Sequence, residues 1–136
     1  MGRFFRDLKV IGDKGSKEFE GVLLDSGASF SVIRHDVAKD LCTITPFFDE
    51  RGNAMEKRVP LPDGEHDIIA TGTCTFQTSI DGRIVRDDAW VVDKLKKGFI
   101  VGMHTLQEGK IKLVHAKEEE GGDRVELGEL DTPEIW

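Results

Sequence analysis

The most informative stretch of the sequence is GVLLDSGASFSVI, residues 21–33, in which an apolar run ends at Asp25 and small residues follow at once. Burying a carboxylate costs free energy unless hydrogen bonds or a charged partner hold it. Gly27 allows the backbone to turn sharply, and Ser26 and Gly27 bring N–H groups and a hydroxyl within reach of the carboxylate. The pattern therefore predicts a carboxylate presented on a loop after a strand, which suits activation of a water molecule.

The bulk composition limits the class of protein. The chain has 136 residues, which fits one domain, and its 38% hydrophobic content supports a core of ordinary size. Its longest apolar runs are far shorter than the roughly 20 residues that a transmembrane helix needs. The first ten residues also lack the apolar stretch of a secretory signal. These features predict a cytoplasmic protein without a membrane partner.

The net charge of −7 is concentrated near the C-terminus. Residues 116–136 contain eight acidic and two basic side chains, so the other 115 residues carry a net charge of −1. The body has no strongly basic face, and we therefore predict no nucleic-acid partner. The acidic tail is interpreted as a solvated terminus, with a contact to a partner subunit as the alternative, because it also contains apolar residues.

Cysteine and histidine residues give no sign of a cofactor. Cys42 and Cys74 lie far apart in the sequence, which favours two buried free thiols. The four histidines form no His-x-x-x-His pattern and lie near no cysteine cluster, and the chain has no glycine-rich phosphate loop. We therefore predict no metal and no cofactor.

Short β-like runs separated by turn residues predict a mainly β chain. The first two runs form a predicted hairpin around residues 12–15, and a second hairpin turns at Asp81-Gly82, a pair typical of a type I′ turn. Residues 34–42 and residues 103–109 favour short helices. An irregular stretch with turn residues follows the first of these helices. The spacing of the strands suggests a small closed barrel or a sandwich.

Three landmarks then resemble one family. The pattern apolar-apolar-Asp-Ser-Gly-Ala-x-x-Ser-apolar-Ile resembles the active-site strand and loop of the retropepsin-like aspartic proteases. About 75 residues later, FIVGMHTLQEGKIKL resembles the family's second element, Ile100-Val101-Gly102 followed by a short helix. Between them, VPLPDGEHDI resembles the flap hairpin that closes over a bound peptide. The resemblance spans about residues 8–114.

The resemblance implies a small closed β-barrel of the retropepsin (acid protease) type with one or two short helices. The domain would cover residues 8–115, between an N-terminal arm of residues 1–7 and the acidic tail of residues 116–136. Pepsin-like enzymes carry two Asp-Ser/Thr-Gly loops in one chain, and this chain has one. The resemblance therefore implies a homodimer in which two Asp25 carboxylates meet at a two-fold axis.

The implied function is that of an aspartic endopeptidase, a hydrolase that cleaves peptides or unfolded protein segments with a water activated by the two carboxylates. The implied catalytic residues are Asp25, Ser26 and Gly27. The implied substrate-binding residues are Ala28, Phe30, Val32 and Ile100 in side-chain pockets, and Pro62, Asp63, Gly64 and Glu65 at the flap tip.

The sequence departs from the family pattern at two places, and some of its residues also have simpler interpretations. Ser26 stands where the family commonly has Thr, and the flap tip is acidic with few glycines. Asp25 in a structural turn, and Asp63-Gly64 in a plain exposed turn, are the simpler interpretations of those residues. The alternative function is a dimeric peptide-binding or scaffold module of the same fold with little or no proteolytic activity.

Overall fold

The structure is a computed structural model that describes residues 4–60 and 67–130. The four residues predicted to form the flap tip, Pro62, Asp63, Gly64 and Glu65, lie outside the described residues. The strands and helices are β1 (Phe4–Ile11), β2 (Ser16–Leu24), β3 (Val32–Arg34), α1 (His35–Leu41), β4 (Thr45–Phe48), β5 (Ala54–Met55), β6 (Lys57–Pro60), β7 (Asp67–Ile80), β8 (Arg83–Val92), β9 (Phe99–Val101), α2 (Met103–Glu108), β10 (Ile111–Val114) and β11 (Arg124–Leu127). A short 3-10 turn covers Glu118–Glu120.

Six strands form a closed barrel. They are hydrogen-bonded in the order β1-β2-β9-β3-β8-β7, and β7 pairs back with β1 through Val10–Thr78 and Ile11–Gln77. Strands β4 and β6 pair with β7, and β5 pairs with β4. The structure therefore confirms the mainly β class and selects the closed barrel over the sandwich.

Alternating sequences explain the two longest strands. Buried and more exposed residues alternate along nearly the whole of β7 and much of β8, as expected for strands that turn one face to the core. Asp81 and Gly82 join them with φ angles of 49° and 86°, the positive values that a type I′ turn requires. The β1–β2 hairpin is also present, with Ile11 opposite Ser16. Both predicted hairpins are confirmed.

Buried side chains form two clusters. The main core fills the barrel and packs against both helices; its largest fully buried members include Phe99, Ile33, Ile80 and Leu106. Cys42 and Cys74 belong to it as buried free thiols, as predicted. The second cluster consists of Val32, Ile68, Ala70 and Val92, with Phe47, Val59, Trp90, Leu95 and Ile100 packed against it in partly buried positions. It lies where β3 and β9, which follow the Asp25 loop and the β8 strand, come near the paired strands β6 and β7.

The two ends of the described chain pair with the barrel domain. Residues 4–7 of the predicted arm belong to β1, because Phe4 is buried and pairs with Leu24. Within the acidic tail, β11 pairs with β10, and Val125 lies opposite Leu113 against the main core. The irregular stretch after α1 contains the short strands β4 and β5. Among the described residues, no helix is long and apolar enough to cross a membrane.

Candidate active site

Asp25 follows directly after β2 on a tight loop. Its N–H donates to the carbonyl of Val101 (2.8 Å), which fixes the end of the strand against β9. Its carboxylate Oδ1 accepts the N–H of Gly27 at 2.9 Å. The side chain is partly exposed, and within residues 4–60 and 67–130 its Oδ2 has no hydrogen-bond partner. The carboxylate is therefore fixed at one oxygen and open at the other.

The start of α2 holds the loop after Asp25 in place. Met103 N–H donates to the carbonyl of Ala28 (2.7 Å), and His104 N–H donates to that of Ser29 (3.0 Å). Gly102 packs so closely on this loop that an added Cβ would lie 2.3 Å from the carbonyl carbon of Phe30. Only glycine fits such a close approach. The two sequence landmarks, residues 25–33 and residues 100–106, thus form one rigid unit.

Behind the loop lies a buried polar chain that consists of Ser31, Thr105 and Asp87. Gly102 N–H donates to Ser31 Oγ (3.0 Å), Ser31 Oγ lies 3.0 Å from Thr105 Oγ1, and Thr105 O–H donates to Asp87 Oδ1 (2.7 Å). All three side chains are buried, and Asp87 is 0% exposed. Desolvation by burial raises the pKa of Asp87 to about 6, although the hydrogen bond from Thr105 and the nearby hydroxyl of Ser31 oppose the rise.

Sequence reasoning missed Asp87. The signal was present, because alternation along RIVRDDAWVV places Val85, Asp87 and Ala89 on the same inward face of β8. A carboxylate at an inward position of a central strand needs partners, and the partners come from distant parts of the chain. Ser31 and Thr105 are brought to Asp87 only by the fold.

The predicted pocket residues Ala28, Phe30, Val32 and Ile100 differ in how far they are buried. Val32 is buried, pairs with Ile100 across β3 and β9, and belongs with it to the second cluster. Phe30 is 44% exposed and stacks on Trp90, with ring centroids 5.1 Å apart and planes 9° apart. Ala28 is partly buried, and its backbone links Asp25 to Met103. Val32, Ile100 and Phe30 therefore border one apolar surface beside the Asp25 loop.

Phe30, Phe47 and Trp90 form an aromatic wall. Phe47 meets the Trp90 ring edge-on, with centroids 5.3 Å apart. Lys57 Nζ lies 4.4 Å from the Phe47 centroid and 5.2 Å from that of Trp90, within the range of cation–π attraction. In the described part of the chain, Lys57 has no carboxylate partner. The sequence does not predict that Phe47 and Lys57 belong to this wall, since no local pattern places them beside Trp90.

Two surface cavities differ in their relation to Asp25. One of about 340 Å³ is lined by Ser26, Gly27, Phe30 and the first turns of α2. A larger one of about 690 Å³ lies between α1 and the β4–β5 region and contains none of the predicted site residues. The first cavity is the one that adjoins the Asp25 loop, because Ser26 and Gly27 line it, whereas the carboxylate at the larger cavity is that of Glu56. No group of three or more possible metal ligands occurs among the residues that the structure describes.

Comparison with known proteins supports the fold and goes no further. No protein-family model matches the sequence. No curated protein matches it either. Among solved structures, the EIAV protease in complex with the inhibitor HBY-793 is similar, with a TM-score of 0.52 and 18% sequence identity. The similarity covers 83% of this chain and 93% of that one. The chain therefore has a retropepsin-like fold.

Proposed function

We propose that this protein is a homodimeric aspartic endopeptidase, a hydrolase that uses one Asp25 from each subunit. The observation that carries the proposal is the carboxylate of Asp25, held by Gly27 N–H at one oxygen and open at the other, on a loop of a retropepsin-like fold. Asp49 also holds a turn through one carboxylate oxygen, but it lines neither of the two cavities, whereas the Asp25 loop contributes Ser26 and Gly27 to the cavity of about 340 Å³. Fold alone does not fix function, so the site carries the argument.

A homodimer follows from the count of carboxylates. The sequence contains one Asp-Ser-Gly triplet, and water activation in this manner needs two carboxylates. Ser26 and Gly27 are exposed in the single subunit, so a second copy has access to them. A two-fold axis beside Asp25 would bring the two carboxylates together, with each Ser26 hydroxyl bracing the opposite loop.

The proposed reaction uses the pair of carboxylates as acid and base. Two carboxyl groups in close contact share one proton, because both cannot readily be ionised. The ionised Asp25 removes a proton from a water molecule, whose oxygen attacks the scissile carbonyl carbon. The protonated Asp25 donates a hydrogen bond and then its proton to the carbonyl oxygen. As the tetrahedral diol collapses and its C–N bond breaks, the carboxyl that took the proton from water passes it to the leaving amine. The other carboxylate takes a proton from a diol hydroxyl, so the product carboxyl group forms and the pair again holds one proton.

The proposed substrate is a peptide or an unfolded protein segment in extended conformation. Such a segment would pair by its backbone like an added strand. Val32, Ile100, Ala28 and Phe30 would line its side-chain pockets, supported by the apolar surface around the second cluster. The flap tip, Pro62, Asp63, Gly64 and Glu65, would close over it. The free thiols Cys42 and Cys74 suit a reducing compartment such as the cytoplasm.

Leu127 and Leu130 favour a contact between the tail and the partner subunit. They are 41% and 54% exposed near the end of the β10–β11 pair. Exposed large apolar side chains occur at interaction surfaces, and these two lie three positions apart in the sequence. We propose that the partner subunit covers them in the dimer.

The decisive experiment compares cleavage of an unfolded protein by the wild type, Asp25→Asn and Asp40→Asn from about pH 3 to about pH 8. Asp40 is exposed on α1, so Asp40→Asn controls for the loss of one negative charge. We expect cleavage by the wild type and Asp40→Asn that a transition-state mimic of aspartic proteases blocks, and none by Asp25→Asn. Sedimentation should give the mass of a dimer. A folded dimer that cleaves nothing would instead support the peptide-binding or scaffold function.

A further inference from the structure

The buried polar chain has a defined direction. The Gly102 N–H can only donate, so Ser31 Oγ accepts from it. Thr105 uses its one hydroxyl proton on Asp87 Oδ1. The hydrogen bond between Ser31 Oγ and Thr105 Oγ1 must therefore be donated by Ser31. Each proton of the chain is assigned, and the chain ends at the carboxylate of Asp87, which accepts the last of them.

Ser31 and Thr105, the two hydroxyl residues of the buried polar chain, both border the loop that carries Asp25. Ser31 is the last residue before β3, at the end of the loop that begins at Asp25. Thr105 lies in the first turn of α2, directly after the two N–H groups that bind the carbonyls of Ala28 and Ser29. Asp87 contributes through β8, which belongs to the rigid barrel wall. The three side chains thus connect the loop to the wall, in addition to the backbone hydrogen bond from Trp90 N–H to the carbonyl of Ser31.

We propose that Asp87 is a positioning residue: through Thr105 and Ser31 it orients the loop that carries Asp25 without contacting the substrate. The inference rests on the proposed function as far as catalysis is concerned, and on the hydrogen bonds alone as far as loop order is concerned. Asp87 acts here as an acceptor that fixes the hydroxyl of Thr105. Removal of that acceptor leaves both hydroxyls free to rotate and weakens the hold on Gly102 N–H.

Thr78 supplies a matched control for Thr105. Both threonines are 2% exposed, and both lie on buried faces next to β8. Thr105 belongs to the buried polar chain of Ser31, Thr105 and Asp87, whereas the buried Oγ1 of Thr78 has no hydrogen-bond partner among the described residues. The change from Thr to Val therefore removes a buried hydroxyl at either position, but it interrupts the buried polar chain only at Thr105.

The experiment compares Thr105→Val with Thr78→Val by hydrogen exchange and by kinetics. In Thr105→Val, we expect the amides of Met103 and His104 to exchange about 10-fold faster, while amides in the β7–β8 hairpin keep their protection. We expect kcat to fall about 10-fold with KM changed less than about twofold, because a misplaced catalytic group lowers the rate more than binding. Thr78→Val should leave exchange at these amides and kcat as in the wild type.

A pair of Asp87 variants completes the test. Asp87→Asn retains an oxygen that can accept from Thr105 and should retain most of kcat, whereas Asp87→Leu should behave like Thr105→Val. Equal exchange rates at Met103 and His104 in Thr105→Val and Thr78→Val would overturn the proposal. A wild type without cleavage would refute the proposed function only, since the exchange measurements still decide whether the chain orders the loop.

Discussion

Asp25 and Asp87 both contact the short segment of residues 101–105, but they lie in opposite environments. Asp25 donates its N–H to Val101, and its Oδ2 has no partner among the described residues, whereas Asp87 is 0% exposed and accepts from Thr105. Asp25 follows the end of a strand, and Asp87 lies in the middle of one. Asp87 is buried because it faces inward, since its neighbour Asp88 on the same strand faces outward and is exposed. Asp25 lies beyond the end of its strand, where the barrel does not enclose its carboxylate.

The loss of Asp25 should affect activity far more than stability. We expect Asp25→Asn to lower kcat/KM about 1000-fold or more, because a neutral amide cannot share the proton of the pair. The free energy of unfolding should change by less than about 1 kcal/mol, since the Asn oxygen still accepts the Gly27 N–H and the side chain is partly exposed. Kinetics and urea denaturation of the same preparation measure both. A large loss of stability with little loss of activity would reverse the roles assigned to the two aspartates.

The segment that both aspartates contact, residues 101–105, should tolerate no added atom at Gly102. A Cβ there would lie 2.3 Å from the carbonyl carbon of Phe30, so Gly102→Ala must displace the loop or α2. We expect a loss of about 3 kcal/mol in the free energy of unfolding. Gly52→Ala is the control: its φ of 81° disfavours a side chain, but no atom lies within 4 Å, so about 1 kcal/mol is expected. Equal losses would show that close packing behind the Asp25 loop adds nothing.

The pH dependence of stability should report Asp87. Its pKa is raised from 3.8 to about 6 in the folded protein, so between these values the folded state binds the proton more tightly than the unfolded state. The stabilisation by this proton is complete below about pH 4 and is lost as the pH rises through about 6. It amounts to at most about 3 kcal/mol.

Denaturation of the wild type and Asp87→Asn between about pH 4 and pH 7 tests this sign. The wild type should gain stability relative to the variant on acidification. Asp88 on the same strand and His104 on α2 also influence Asp87 and remain in both proteins. A difference that does not change with pH would show that Asp87 keeps one protonation state throughout.

The comparison also shows how far the sequence could be interpreted. Asp25 and its loop were predicted because strand, turn and small residues adjoin in one stretch of 13 residues. The mainly β class, both hairpins and both helices followed from periodicity and turn residues, whereas the closed barrel followed from the resemblance to the retropepsin-like family. Asp87 required partners 56 residues upstream and 18 residues downstream, and Lys57 reaches Trp90 only through the fold. Local patterns predict local geometry, whereas contacts between distant residues depend on the register of the strands.

Lys57 offers a third position for the comparison: its charge lies on the aromatic wall of Phe30, Phe47 and Trp90, and under the proposed function it should affect specificity and not the chemistry itself. Because Lys57 lies against Phe47 and Trp90 without a carboxylate partner in the described residues, a substrate with an acidic side chain could pair with it there. We expect the wild type to prefer glutamate over lysine about fivefold at one position near the scissile bond. In Lys57→Glu this preference should reverse with kcat for neutral peptides unchanged. Arg58→Glu, whose side chain is 79% exposed 3.8 Å from Asp67, should keep the wild-type preference. If both variants changed the preference for glutamate over lysine equally, the preference would be due to net charge, and Lys57 would not contact the substrate.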